Sequence, residues 1–221
     1  MTDENLDQLI DALNAGAIRE RAFVRNLTPL VDWAKIWTKE PVGSTWDSAY
    51  DFYLVRANAG EAYVGIVLDM TTEDLHVWMK PAFRGVGHMC TALNTVVFPR
   101  FFQLGRERQR ITFQDDAILT YAVTHLGFEK TGLLSAERDL RPYHAHPPIA
   151  GTNGALSRSD FESMEHRIRL AGAQMRLIRD QLDMAYGTVD FEALDWMDSQ
   201  IDALDDTLYT FIEQQQGALR A

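Results

Sequence analysis

The segment between residues 77 and 90 carries the residue types that bind a phosphate group. An apolar, strand-like stretch ends at Met79 and is followed by Pro81, by Arg84-Gly85-Val86-Gly87 and by an apolar pattern typical of a helix. Backbone N–H groups at the start of a helix point outward, and the helix dipole adds positive potential. Glycines let the backbone approach a diphosphate closely, and Arg84 could aim a charge at it. The spacing therefore predicts a diphosphate-binding turn at residues 84–89.

Two common phosphate-binding motifs do not fit this segment. A P-loop would continue with Gly-Lys-Ser/Thr, and these residues do not follow Gly87. A dinucleotide-binding fingerprint needs a third glycine and opens a parallel sheet. The preceding sequence instead predicts a hairpin, with strands at Tyr50–Val55 and Ala62–Asp69 joined by a turn at Asn58–Glu61.

The turn and a second segment resemble the GNAT superfamily of acyl-CoA-dependent N-acetyltransferases. The signature of that family is a strand followed by a [Gln/Arg]-x-x-Gly-x-[Gly/Ala] loop that opens a helix, which Arg84, Gly85 and Gly87 fit. A second signature, Asn-x-x-Ala…Tyr-x-Lys-x-Gly-Phe, is matched in register by residues 114–128, which end in Gly127-Phe128. The resemblance covers residues 49–140.

The resemblance implies a mixed sheet flanked by helices, acetyl-CoA as co-substrate, and transfer of its acetyl group to an amine that the sequence does not identify. It also implies that a backbone N–H near Met79, on a splayed strand, meets the developing oxyanion. The cofactor-binding residues carried over from the family are Met79, Arg84, Gly85, Val86, Gly87, His88, Met89 and Asp116.

Three positions depart from the pattern of the family. Met89 replaces the last small residue of the loop, Asp116 replaces the asparagine, and Val123 replaces the tyrosine often credited with protonating the departing thiolate. Tyr121 lies two residues earlier, which is about 200° around a helix, so it cannot simply take that place.

Transfer to an amine requires a base, because an alkylammonium with a pKa of about 10 must lose a proton before it attacks. His76 lies on the predicted strand Leu75–Met79, and Glu73 lies at the start of that strand. A histidine has an ordinary pKa of about 6.5, whereas a glutamate needs burial to raise its pKa. His76 and Glu73 are therefore the candidate catalytic residues.

The elements that must position these residues form an α+β domain over residues 1–143. Residues 1–48 are predicted as N-terminal helices: the first holds apolar residues at helical spacing, the second runs from Thr28-Pro29 to about Lys39, and residues 18–27 fit a strand or a helix. A loop follows at residues 41–47.

The core, residues 49–143, is predicted to form a mixed sheet packed against helices. Pro99 should end or kink the first core helix, and Asp116 should cap the second.

Beyond a predicted linker at residues 144–156, residues 157–217 predict an antiparallel two-helix coiled-coil hairpin. Apolar residues repeat every seven positions in both halves, and Gly187-Thr188 separates the halves. Residues 157–185 carry five acids and five arginines, whereas residues 189–216 carry eight acids and no base. Unlike helices should therefore pair, and we expect a homo-oligomer or a protein partner through the hairpin.

The composition narrows the classes of partner. The 221 residues include 21 Lys and Arg and 32 Asp and Glu, a net charge of −11, which argues against nucleic acid and anionic membrane as partners. The single cysteine, Cys90, excludes an intramolecular disulfide and suits a reducing compartment. Residues 1–11 carry four acids and no base, the reverse of a secretory leader. We therefore expect a soluble, cytoplasmic protein without a metal.

A second class of function stays open. Val123, Met89 and the acidic hairpin also fit a catalytically degenerate member of the same family that serves as a structural or assembly module of a larger complex, such as a phage virion. A regulator that binds acetyl-CoA without transferring its acetyl group lies between the two. Turnover of acetyl-CoA with an amine would separate the enzyme from the module.

Overall fold

A computed structural model describes residues 1–39, 48–149, 151, 157–186 and 192–218. The chain divides into two compact units, Met1–Gly154 and Ala155–Ala221. The first unit combines helices with two antiparallel sheets, so the predicted α+β class is confirmed, and the second unit holds two long helices. The predicted loop at residues 41–47 lies outside the described residues.

A five-stranded antiparallel sheet forms most of the first unit. The strands lie side by side in chain order: β1 (Ala22–Thr28), β2 (Val31–Ile36), β3 (Tyr50–Arg56), β4 (Tyr63–Asp69) and β5 (Leu75–Met79). The last three coincide closely with the predicted strands, because aromatic and β-branched runs alternate there with turn residues.

Apolar side chains cover both faces of this sheet. One face packs against α1 (Asp3–Asn14), whose Leu6 and Ile10 are fully buried. The opposite face carries a larger cluster, in which the Tyr53 and Phe101 rings meet edge to face with centroids 5.5 Å apart. The central strands are therefore buried on both sides.

The predicted second N-terminal helix is wrong. Residues 31–36 form β2, and the undecided stretch before it includes β1. Thr28 does make the hydrogen bond expected of a helix cap, because its Oγ1 accepts from the N–H of Val31 at 3.1 Å, but the chain turns back as a strand. β2 is buried on both faces at Val31 and Asp32, and the apolar run of such a strand resembles that of a buried helix.

The elements after β5 form helices and a small second sheet. α2 (His88–Ala92) leads through a π-helical turn, Leu93–Val97, into α3 (Phe98–Gln103). The chain continues as β6 (Arg108–Thr112), α4 (Asp116–His125), β7 (Glu129–Lys130) and β8 (Ser135–Asp139). The three strands pair antiparallel in the order β6-β8-β7. The mixed sheet that we predicted is thus two antiparallel sheets within the described part of the chain.

Pro99 does not end its helix. It is buried in the first turn of α3, directly after the π-helical turn. A proline lacks the N–H donor and clashes with the carbonyl four residues earlier. The wider π-helical turn accommodates both defects, and the helix continues to Gln103.

The second unit consists of α5 (Arg158–Tyr186) and α6 (Glu192–Ala218). Arg179 Nη1 lies 3.2 Å from Asp195 Oδ1, and Arg176 Nη1 lies 3.9 Å from Asp202 Oδ1. Earlier residues of α5 thus meet later residues of α6, and the helices run antiparallel. The predicted separator at residues 187–188 lies outside the described residues. Each described helix is too short or too polar to cross a membrane.

Candidate functional site

The turn after β5 presents a row of backbone N–H groups. Gly85 and Gly87 have φ angles of 76° and 89°, which favour glycine, and Gly87 is the residue that precedes α2. The first helical bond runs from the N–H of Thr91 to the carbonyl of Gly87 at 2.9 Å. The N–H groups of residues 86–89 have no acceptor within the described part of the chain. Neighbouring donors therefore remain free at the start of the helix.

Arg84 is engaged with the protein rather than with the turn. Its Nε donates to the carbonyl of Met79 at 2.8 Å, and its guanidinium carbon lies 4.3 Å from the centroid of the Trp78 ring. Both contacts direct the side chain back toward the end of β5. These contacts give Arg84 a role in fixing the strand end, and its contact with a phosphate stays a prediction.

The segment that immediately precedes β5 lies beside the second half of β6. The N–H of Arg110 donates to the carbonyl of Thr72 at 3.0 Å, and the N–H of Thr112 donates to Asp74 Oδ1 at 2.9 Å, so the strands run in the same direction. No other hydrogen bond from a backbone donor joins them among the described residues, and they belong to different sheets. Beyond Asp74 no backbone N–H joins the two strands among the described residues, and the interval between them is called the gap.

Antiparallel pairing decides which groups of β5 face this gap. The N–H of Lys80 donates to the carbonyl of Val64 at 2.9 Å, so Lys80 is bonded to the β4 side. Bonded and non-bonded residues alternate along an antiparallel pair, and Val77 and Met79 consequently turn their N–H groups away from β4. The N–H of Met79, which we expected to meet an oxyanion, therefore points toward the gap.

Met89 directs its side chain inward. The terminal methyl groups of Met79 and Met89 lie 2.9 Å and 3.0 Å from where a Cβ on Gly65 would be. Met79 is buried and Met89 is half-buried, and both pack in the larger core cluster. The departure from a small residue at position 89 therefore leaves the row of backbone donors intact.

The two candidate bases do not lie together. His76 Nε2 lies 2.6 Å from Asp3 Oδ1, on the face of the sheet that α1 covers. The Glu73 side chain is 69% exposed and pairs with Arg110 at 2.9 Å. Glu73 therefore lacks the burial that our prediction required, and His76 is the candidate that the fold holds in place.

Two further acids of α1 continue along the polar face of β5. Asp7 accepts from Trp78 Nε1 at 3.3 Å and from Lys80 Nζ at 3.1 Å, and Asp11 accepts from Lys80 Nζ at 2.8 Å. Hydrogen bonding by Lys80 and then by Trp78 lowers the pKa of Asp7, and hydrogen bonding by Asp11 raises the pKa of Lys80. The acids of α1 recur every four residues, about 6 Å, and their partners on β5 recur every two residues, about 6.7 Å. The two spacings match, and α1 occupies this face of β5.

α4 begins one residue before its predicted cap. Asp115, not Asp116, caps the helix, because its Oδ1 accepts from the N–H of Ile118 at 2.9 Å. Asp116 is the first helical residue, and its exposed carboxylate pairs with Lys130 at 3.2 Å. On the same helix Tyr121 packs against His125, with ring centroids 4.7 Å apart. This contact engages the one nearby tyrosine that α4 contains.

A cavity of about 460 Å³ adjoins the turn. Val86, Gly87 and His88 line one side, and the β1–β2 turn and the end of β3 line the other. Arg56 lies in the wall, with its guanidinium 2.8 Å from the buried carboxylate of Asp32. Small-molecule sites commonly have volumes of about 300–1,000 Å³. The turn is therefore next to a space large enough for part of a ligand.

The sequence analysis did not single out a buried carboxylate network close to this cavity. Asp32, whose side chain is 4% exposed, accepts from Arg56 at 2.8 Å, from Tyr63 Oη at 2.5 Å and from Asn26 at 2.8 Å. Burial, with the hydrogen bond to Asp32, raises the pKa of Tyr63. A second cavity of about 500 Å³ opens over these side chains. Both oxygens of Asp32 have donors, so the network joins β1 to β4 and contributes to the fold. An aspartate within an apolar strand was its only sequence signal.

Among the described residues, no group of three or more His, Cys, Asp or Glu side chains is arranged to hold a metal ion.

Comparison with known proteins adds no family to this geometry. No protein-family model and no curated protein matches the chain. The function of the molecule must therefore be inferred from its own residues and their geometry.

Proposed function

We propose that this chain binds acetyl-CoA at the turn 84–89 and is an N-acetyltransferase-like protein of GNAT type. The observation that carries the proposal is the row of backbone N–H groups at residues 86–89, which have no acceptor among the described residues. The row lies where β5 ends and the gap toward β6 opens. Backbone donors at a helix start suit a diphosphate, and the gap suits a thin, extended arm such as pantetheine.

The proposed reaction is direct transfer of an acetyl group. The diphosphate accepts hydrogen bonds from the turn, and the thioester reaches the gap beside Met79. The amine, once deprotonated, attacks the carbonyl carbon, and the N–H of Met79 stabilises the oxyanion. The C–S bond then breaks, and the nitrogen gives its remaining extra proton to the departing sulfur, which releases the free thiol of CoA and the acetylated amine. We assign the amine proton to His76, which Asp3 orients.

Calorimetric titration with acetyl-CoA tests the binding step. Gly87→Glu places a carboxylate among the donors and should weaken binding at least tenfold, because the new charge repels a diphosphate. Gly105→Glu is the matched control: Gly105 has a φ of 87° and, like Gly87, open space around its Cβ position, but it lies beyond the end of α3. The control should therefore suffer the same backbone strain and bind like the wild type.

Thermal melting would establish that both variants are folded. No heat with the wild type, or equal affinities for Gly87→Glu and Gly105→Glu, would overturn the proposed site.

The second candidate function is a module of this fold that does not transfer an acetyl group. The observation in its favour is Val123, which places no hydroxyl at the position of the family's tyrosine, while Tyr121 is engaged with His125. Release of free CoA thiol in the presence of a panel of amines would exclude the module. Binding of acetyl-CoA without any thiol release would favour it over the enzyme.

A further inference from the structure

The second unit carries an apolar stripe on α5 that α6 does not cover. Leu170, Leu177 and Met184 lie seven residues apart and are 51%, 52% and 87% exposed. Ile178 lies beside them and is 44% exposed. A repeat of seven places these side chains along one line of the helix. Leu170, Leu177 and Met184 thus form an exposed stripe of about four helical turns, and Ile178 lies about 100° to one side of it.

This stripe is separate from the contact with α6. Gly172, at which a Cβ would meet the side chain of Ile201 at 3.1 Å, and Arg179, which pairs with Asp195, identify the side of α5 that faces α6. At about 100° per residue, Leu177 lies about 140° from Gly172 and about 160° from Arg179 around the helix. The stripe therefore belongs to the opposite side of α5, where a further helix can pack.

We propose that α5 pairs antiparallel with α5 of a second copy of this chain, about a two-fold axis at Leu177. A two-fold interface must be self-complementary. The stripe meets this condition, because an antiparallel pair centred on Leu177 places the two copies of Leu177 together and Leu170 of one copy opposite Met184 of the other. The result is a layer of four antiparallel helices, with the two α5 helices inside and the two α6 helices outside.

The charges select this arrangement. In this register the two α5 helices overlap over residues 168–186. The half before Leu177 carries Arg169 and Arg176 and no acid, and the half after it carries Asp180, Asp183 and one base, Arg179. Antiparallel pairing brings opposite charges to the same end of the interface. Pairing through α6 would instead bring together two helices that each carry acids and no base between residues 189 and 216. The flanks of the stripe are Ala173, Gln174, Asp180 and Gln181, and in this register Asp180 lies opposite Gln174 of the second copy, so no like-charge contact arises.

Light scattering of the full chain after size exclusion tests the interface. The wild type should have about twice the chain mass of 25.1 kDa. Leu177→Glu should weaken the dimer at least a hundredfold, because it places two buried carboxylates on the symmetry axis. Trp196→Glu, at an exposed residue of α6, is the matched control and should leave the mass unchanged. Circular dichroism should show the same helix content in both variants.

Cross-linking tests the register. In a chain with Cys90→Ser, the substitution Leu177→Cys should give a disulfide-linked dimer under mild oxidation, whereas Tyr186→Cys should not. A monomeric wild type at micromolar concentration, or a dimer that Leu177→Glu leaves intact, would overturn the proposal. A dimer that Trp196→Glu dissociates would instead assign the interface to α6, which also overturns it. The inference does not depend on the binding of acetyl-CoA.

Discussion

The face of β5 under α1 and the turn after β5 differ in whether their polar groups have hydrogen-bond partners within the protein. Under α1, the polar side chains His76, Trp78 and Lys80 each meet a carboxylate. In the turn at residues 86–89, the backbone donors have no acceptor among the described residues. The first N–H groups of a helix have no partner within the helix, and at this exposed turn they are available to water or to an anion. In this molecule the charged side chains stabilise the fold, and the main chain supplies the candidate site.

The largest effect is expected for Asp32, whose carboxylate belongs to a network of paired polar groups. Asp32→Ala removes the acceptor of Arg56 and Tyr63 in a buried network, so it should cost about 3–5 kcal/mol of unfolding free energy in urea denaturation. Asp116→Ala removes an exposed carboxylate paired with Lys130 and should cost less than about 1 kcal/mol. Similar losses in the two variants would mean that the buried network contributes nothing beyond a surface ion pair.

A smaller effect on stability is expected for Arg84, which lies between the two regions. Arg84→Gln removes the hydrogen bond to the carbonyl of Met79 and the contact with Trp78, and should cost about 1–2 kcal/mol of unfolding free energy. The affinity for acetyl-CoA should change less than about threefold, because the guanidinium belongs to the strand end. Calorimetry on the folded variant measures this. A tenfold loss of affinity with unchanged stability would return Arg84 to the ligand site.

The smallest effect is the loss of stability of the fold at acidic pH. Lys80 lowers the pKa of Asp7 below its usual value of 3.8, so the stabilisation by ionised Asp7 is complete above about pH 4. It is lost as the pH falls through the lowered pKa, because the unfolded chain then binds more protons than the folded chain. The unfolding free energy of the wild type should therefore fall more between about pH 5 and about pH 3 than that of Asp7→Asn.

Glu4→Gln is the control for the acid experiment, since it removes one charge from the same helix without touching β5. If Asp7→Asn lost stability as steeply as the wild type, the contact between Asp7 and Lys80 would not be the cause.

The strands from β3 to β5 and the helix at residues 116–125 could be predicted because their periodicity and turn residues act locally. β2 could not, because both sides of the strand are buried and its sequence is spaced as in a helix, at Leu30, Trp33, Ala34 and Trp37. The threonine at residue 28 forms its predicted local hydrogen bond, yet the packing of the whole sheet decides whether a helix or a strand comes next. The sequence at Thr28 thus predicts the local hydrogen bond correctly, but it does not predict the secondary structure of the residues that follow.

In the site, too, the local features could be predicted from the sequence, and the features that depend on the three-dimensional fold could not. The glycines of the turn predict its backbone, because a positive φ is a property of the residue itself. The direction of Arg84 could not be predicted, since it depends on where Trp78 and the carbonyl of Met79 lie in three dimensions. The separation of Glu73 from His76 likewise depends on which face α1 covers, and no spacing in the sequence specifies it.

The equal spacing of acids along α1 leaves its alignment on the strand ambiguous to electrostatics alone. If the helix slipped by one turn, Asp7 would take the place of Asp3 beside His76, and Asp11 would take the place of Asp7. Ala15 would take the place of Asp11, so the ion pairs would register the error only by the loss of one carboxylate at Lys80. The aliphatic residues would register it. Ile10 would move into the place of Leu6, and Asn14 would move into the fully buried place of Ile10, where its amide would lose water without gaining a partner. The burial of Leu6 and Ile10 therefore disfavours the slipped alignment. The carboxylates add stability to the alignment that these apolar residues determine.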